Sequence, residues 1–149
     1  MEKGRYIYEW PRPMVTVDAL IFTRIGGNTR VLLIKRGNDP FKGLWAVPGG
    51  FVDMDEELEI AAARELEEET GLKNIRLSQF HTFGKCGRDP RGRNITVVFW
   101  AKIGCSAEPA VKGGDDAAEA KWFDLDHLPE LAFDHQDVLA MAAAKLNQE

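Results

Sequence analysis

Three glutamates, Glu65, Glu68 and Glu69, are spaced so that one helix would hold all three carboxylates within a single turn. They lie in the segment Gly50 to Leu72, GFVDMDEELEIAAARELEEETGL, which packs nine carboxylates between two glycine-bearing ends. An oxygen-only donor set of this kind suits a hard divalent cation, Mg²⁺ or Mn²⁺. Like charges this close repel one another and lose hydration beside a buried surface unless a cation compensates them. Arg64 brings one such positive charge, four residues before Glu68.

The element that must position these acids is a helix over residues 56–70. That stretch contains no Gly or Pro, and Gly71 stands where a left-handed C-cap would end it. Advancing about 100° per residue from Glu65 puts Glu69 near 40° and Glu68 near 300°. Leu58, Ala61, Ala62 and Leu66 fall between roughly 320° and 100° on the same wheel. The acids therefore overlap the apolar face. A helix with a merely solvated acidic side would place them opposite it.

Gly50, then Glu56 after five residues, then Arg64-Glu65-Leu66-Glu67-Glu68-Glu69-Thr70-Gly71-Leu72 after seven more, matches every fixed position of the Nudix box, G-x5-E-x7-R-E-U-x-E-E-x-G-U. The chain thus resembles the Nudix hydrolases, which cleave nucleoside diphosphates linked to another moiety. The preceding Trp45-Ala46-Val47-Pro48-Gly49-Gly50 is similar to the family's lead-in to the box. The resemblance implies an α/β fold, a mixed β-sheet sandwiched between α-helices, with the box helix presenting its acids at one sheet edge. It implies metal-assisted hydrolysis, in which the cation neutralises developing charge and lowers the pKa of a bound water. Glu65 and Glu69 would be direct ligands, with the Gly50 carbonyl as a further oxygen. Glu68 would complete the metal shell or act as catalytic base, and Arg64 would orient the cluster through Glu68 or Glu56. A later loop acid would approach the metal or act as base, with Asp116 preferred and Asp115 and Glu119 close seconds.

Substrate contacts are sought in arginines, whose planar forks suit phosphates and stack on bases. Arg36 ends a strand, and Arg88, Arg91 and Arg93 share the loop GKCGRDPRGRN of an otherwise acidic protein. The RDPRG within it resembles the branch of Nudix proteins that includes ADP-ribose pyrophosphatases. This makes ADP-ribose the expected substrate, cleaved to AMP and ribose 5-phosphate. Alternatives are another nucleoside diphosphate derivative, an oxidised nucleoside triphosphate, or a Nudix domain that senses a ligand without hydrolysing it. The complete set of box acids argues against the last.

The rest of the chain sets limits. Its 149 residues fit one domain, residues 1–149, with an arm over 1–13 carrying Tyr6, Tyr8 and Trp10. Trp10 is read as packing at a domain or dimer surface, which makes a homodimer a candidate assembly, and a partner-binding arm is a further alternative. The net charge of −5 disfavours a nucleic-acid partner, and no apolar run is long enough for a membrane span. Two cysteines without CxxC spacing, and an N-terminus without an apolar signal core, point to the cytoplasm. Strands are expected over 15–22, 31–35, 75–83, 95–103 and 121–123, with a hairpin turn at Gly26-Gly27-Asn28. A last helix follows Asp134 as its N-cap. His81, His127 and His135 show no ligand spacing and are read as structural or exposed.

Overall fold

The computed structural model describes residues 3–149, so Met1 and Glu2 of the expected arm lie outside the described residues. Regular structure begins with β1 (Met14–Ile25), which turns at Gly26-Gly27 into β2 (Asn28–Arg36). Both glycines have positive φ, the backbone a tight hairpin demands. Short β3 (Trp45–Ala46) and β4 (Gly49–Phe51) precede α1 (Leu58–Thr70). β5 (Ser78–Phe83), β6 (Asn94–Ile103), β7 (Ala117–Asp124) and α2 (His135–Leu146) complete the order.

All seven strands belong to one mixed sheet. β1 runs parallel to β6 over ten register pairs, Met14↔Asn94 to Thr23↔Ile103. Its other edge is divided between β2, antiparallel near Ile25, and β4, antiparallel near Thr16. β2 in turn carries β3 and β7, while β5 forms the outer edge against β6.

Alternation along β1 explains the sandwich, because successive side chains face opposite sides. Leu20 and Phe22 pack with Val31, Leu33 and Val98 against Val138, Leu139 and Ala142 of α2. Val17, Ala19 and Ile21 face the other way, toward Ala61, Ala62 and Leu66 of α1. β6 likewise presents Val97, Phe99 and Ala101 on the α1 side.

α1 starts two residues later than the sequence suggests. Glu56 is occupied in a turn, its backbone N–H donating to Asp53 O and its carboxylate accepting from the Asp53 N–H. The far end follows expectation: Gly71 takes φ 79° and its N–H donates to Glu67 O at 2.8 Å. Strand β5 is shorter than expected because Ile75 and Leu77 leave the sheet's hydrogen-bonding edge to pack beneath α1. Asp134 does occupy the residue before α2, but its side chain makes no cap bond and pairs with Arg88 instead.

Leu66 is 1% exposed and joins α1 to the sheet. Leu66→Ala is expected to destabilise the fold by roughly 2–5 kcal/mol, the usual range for a buried leucine that leaves a cavity. Urea unfolding monitored by circular dichroism measures it.

Candidate active site

A cavity of about 750 Å³ opens where the β1–β4 edge meets α1 and the loop after β5. Its acidic wall contains Glu65, Glu68, Glu69, Asp115 and Asp116. Their burial follows the helical phase: Glu69 is 5% exposed and Glu65 partly buried, while Glu68 reaches solvent.

Arg64 holds this wall together. It donates to Glu56 at 2.6 and 2.8 Å, to Glu65 at 2.9 Å, to Glu68 at 3.2 Å and to the Phe51 carbonyl at 3.1 Å. Its bonds hold the Glu56 carboxyl below the usual glutamate range, and the acids push Arg64 further up. The two routes foreseen for Arg64, Glu68 and Glu56, thus coexist, and Glu65 adds a third.

The glycines before the helix work by close approach. A Cβ on Gly50 would lie 2.5 Å from the Glu65 carboxyl, and one on Gly49 would lie 2.2 Å from Asp18 Oδ1. Gly49 N–H donates to Glu69 Oε1 at 2.7 Å. Burial nevertheless dominates at Glu69, and with neighbouring Glu65, Asp18 and Asp116 it pushes the carboxyl up to about 8. Burial also raises Glu65.

The loop before β7 reaches the same wall because Gly114 packs where a Cβ would lie 2.6 Å from the Glu68 carbonyl. Asp116 accepts from the Asn38 side-chain amide at 3.2 Å, and its carbonyl accepts from Gly37 N–H. Asp115 and Asp116 line the cavity, whereas Glu119 sits on β7 opposite Lys35 and does not.

The four expected arginines are treated differently by the fold. Arg36 and Arg91 line the cavity and both stack on Phe133, with Arg91 also over Phe51. Burial and the neighbouring Arg91 charge lower the Arg36 pKa. Asp89 grips Arg91 at 2.8–3.2 Å; burial pushes that carboxyl up, but its bonds to Arg91 together outweigh burial and hold it low. Arg88 lies at the cavity's edge with its side chain 3% exposed and is bound bidentately to Asp134 at 2.7 and 3.0 Å. Arg93 is exposed, donates to the Gly84 carbonyl and does not line the cavity.

The remaining lining was not foreseen. Thr16 and Asp18 of β1, Asn94 at the start of β6, Asp89, Phe51, Phe133 and His135 all contribute. His135, read as structural or exposed, is 4% exposed and accepts from Val47 N–H through Nδ1 at 3.0 Å. One signal was available: Asp18 is a charge within a strand whose residues 16–23 are all buried.

The donor chemistry fits a hard cation, since Glu65 and Glu69 are crowded, partly desolvated carboxylates that share one wall with Glu68. The cage is not preassembled: among the described residues no three acidic, His or Cys side chains are grouped closely enough to hold an ion. Arg64 Nη1, shared by Glu65 and Glu68, occupies the place of the compensating charge.

The family model described as NUDIX domain matches residues 13–142. The chain belongs to the Nudix family. It is 45% identical over 127 residues to an ADP-ribose pyrophosphatase of Methanocaldococcus jannaschii, covering 85% of this chain and 71% of that one. It is also 40% identical over 145 residues to the ADPR responsive transcriptional repressor NtrR of Acinetobacter baylyi, covering 95% of this chain but only 57% of the repressor. Among solved structures, the NUDIX domain of Shewanella oneidensis NrtR complexed with ADP ribose aligns with a TM-score of 0.84 and 36% identity, over 92% of this chain and 90% of that one. The mixed sheet between helices is therefore the Nudix fold. Among the described residues, no helix is long and apolar enough to cross a membrane.

Two outcomes test these contacts. Without metal, the folded protein binds a proton at Glu69 up to about pH 8, whereas an ordinary glutamate releases it near 4.5. Stability should therefore fall as pH rises between those values, and Glu69→Gln should flatten that slope in thermal melts of chelator-treated protein. Asp134→Ala, which leaves the Arg88 guanidinium buried without its partner, should cost roughly 3–5 kcal/mol in denaturant titrations.

Proposed function

We propose that this Nudix domain hydrolyses the diphosphate linkage of ADP-ribose, giving AMP and ribose 5-phosphate, with Mg²⁺ or Mn²⁺ as cofactor. One observation carries the reading: a wall of carboxylates and a pair of arginines, Arg36 and Arg91, face the same cavity. Carboxylates alone would repel a diphosphate, and arginines alone would bind it without activating water. The similarity to an ADP-ribose pyrophosphatase and to a domain complexed with ADP ribose supports the choice of substrate.

In this reading Glu65, Glu69 and Glu68, with the Gly50 carbonyl, hold the cation. When bound, it neutralises phosphate charge and makes water a better nucleophile at neutral pH. Glu68 is the most exposed of the three, and accepts the proton of the attacking water or completes the shell; Asp116 is the second candidate base. Arg64 positions Glu65 and Glu68 without touching substrate. Arg36 and Arg91 bind phosphate oxygens or stack on the base, their planes set by Phe133. Arg88 serves the reading indirectly, by fixing the start of α2 through Asp134, and Arg93 braces the loop.

A second reading is favoured by the repressor similarity: the domain binds ADP-ribose as a signal and does not cleave it. That reading also reopens the question of a nucleic-acid partner, since a related structure is NrtR complexed with a 27mer DNA. The cavity and its arginines would serve either role, but a sensor has no need of the complete acidic wall.

Incubation with Mg²⁺ and a panel of ADP-ribose, NADH, nucleotide sugars and oxidised dGTP should yield AMP and ribose 5-phosphate preferentially from ADP-ribose. Glu69→Gln should lower kcat/KM by more than roughly two orders of magnitude, the upper end for residues that merely support a metal ligand. Arg91→Ala should raise KM more than it lowers kcat. Tight ADP-ribose binding without any product would favour the sensor, and near-normal turnover by Glu69→Gln would refute the metal assignment.

A further inference from the structure

The cavity has a second end whose chemistry the acidic wall does not explain. There Asp18 and His135, 8% and 4% exposed, each keep one polar atom without a hydrogen-bond partner among the described residues. Asp18 Oδ2 accepts from Thr96 Oγ1 at 2.5 Å, leaving Oδ1. His135 Nδ1 accepts from Val47 N–H, leaving Nε2. Among the described residues the sole sealed side-chain polar atom without a partner is Arg30 Nε, so these two atoms open on the cavity both residues line.

The fold fixes the polarity of the histidine. A backbone N–H aimed at Nδ1 requires that nitrogen to be unprotonated, so the ring is neutral and Nε2 carries the hydrogen. Burial of the imidazole acts in the same direction. Asp18 Oδ1 offers an acceptor. The floor therefore presents one donor and one acceptor, backed by Thr16 and Asn94, which hydrogen-bond each other.

A phosphate is a poor occupant, because among the described residues no cationic side chain hydrogen-bonds either floor residue. A nucleobase has a better seat on the Arg36–Phe133–Arg91 stack, which offers planar faces that the floor lacks. A sugar hydroxyl both donates and accepts, so neighbouring hydroxyls can satisfy both floor atoms at once. The floor also adjoins the acidic wall through one residue: Gly49 bonds Glu69 through its N–H and has no side chain to intrude on Asp18. A group seated there would lie next to a diphosphate held at the acidic wall.

We propose that Asp18 and His135 form a sugar-reading floor that selects the unphosphorylated hydroxyls of the terminal ribose. The assignment rests on the placement of the diphosphate at the acidic wall given above. His135 and Asp18 are then specificity-determining residues outside the box.

The test uses two ligands that cannot be cleaved at the diphosphate, α,β-methylene ADP-ribose and α,β-methylene ADP, titrated calorimetrically with Mg²⁺ present. Wild-type protein should bind the ribosylated ligand about tenfold more tightly or better, the worth of a satisfied buried pair. His135→Asn places an acceptor where Nδ1 stood, so it keeps the Val47 bond and the melting temperature but loses the floor donor; the ribose advantage should vanish. His135→Gln reaches the Nε2 position and should retain most of it. A purely structural histidine predicts the reverse, with Asn neutral and Gln damaging. Equal wild-type affinity for the two ligands, or an unchanged ratio in His135→Asn, overturns the sugar floor and leaves the hydrolase reading standing. No affinity for either ligand overturns both.

Discussion

A single guanidinium touches three glutamates that would otherwise drive one another apart. Arg64 reaches Glu56, Glu65 and Glu68, and it also ties them to the Phe51 carbonyl at the end of β4. Lysine would not substitute, because the contacts use Nε, Nη1 and Nη2 in different directions from one rigid plane. The neutralisation is incomplete where it matters. Among the described residues no arginine hydrogen-bonds Glu69, which accepts only from the Gly49 amide, and burial leaves it the most proton-hungry carboxylate on the wall. In the proposed reading, that residual deficit of positive charge is what a bound cation would offset.

Parallel pairing of β1 with β6 sets the opposite side of the site. It brings Thr16 beside Thr96 and Asn94, and Asp18 within reach of the Thr96 hydroxyl. The loop before β6 then falls over the same opening, where Asp89 bonds both Asn94 and Arg91. The arginines of this loop were expected to act alike, and the fold separates them by burial and partner. Arg88 is a buried ion paired with Asp134, Arg91 a half-exposed cation gripped by Asp89, and Arg93 a brace on the Gly84 carbonyl.

What could be read from the sequence was what repeats locally. Alternation in β1 and β6, the glycine hairpin, the helical phase of Glu65, Glu68 and Glu69, and the fixed spacing of the box all live within a few residues of one another. The floor does not. His135 and Val47 are 88 positions apart and Thr96 and Asp18 are 78 apart, so only the strand register and the docking of α2 reveal that they meet. Asp134 shows the same limit, because a residue with good N-cap chemistry was claimed by an arginine 46 positions away. Glu119 was excluded as a wall acid for a reason equally invisible locally, its place in the β7 register.

The small side chains of α1 have a metric role. Ala61 and Ala62 are fully buried against Val17 and Phe99, and they are the atoms through which this helix rests on the sheet. With Gly50 offering no side chain opposite Glu65, two methyl groups and one hydrogen act as spacers that fix the width of the gap between helix and strand. Any bulkier residue at these positions would shim the helix outward and carry Glu65, Glu68 and Glu69 with it. The reach of the acids into the cavity is therefore calibrated by the least chemically active residues in the segment.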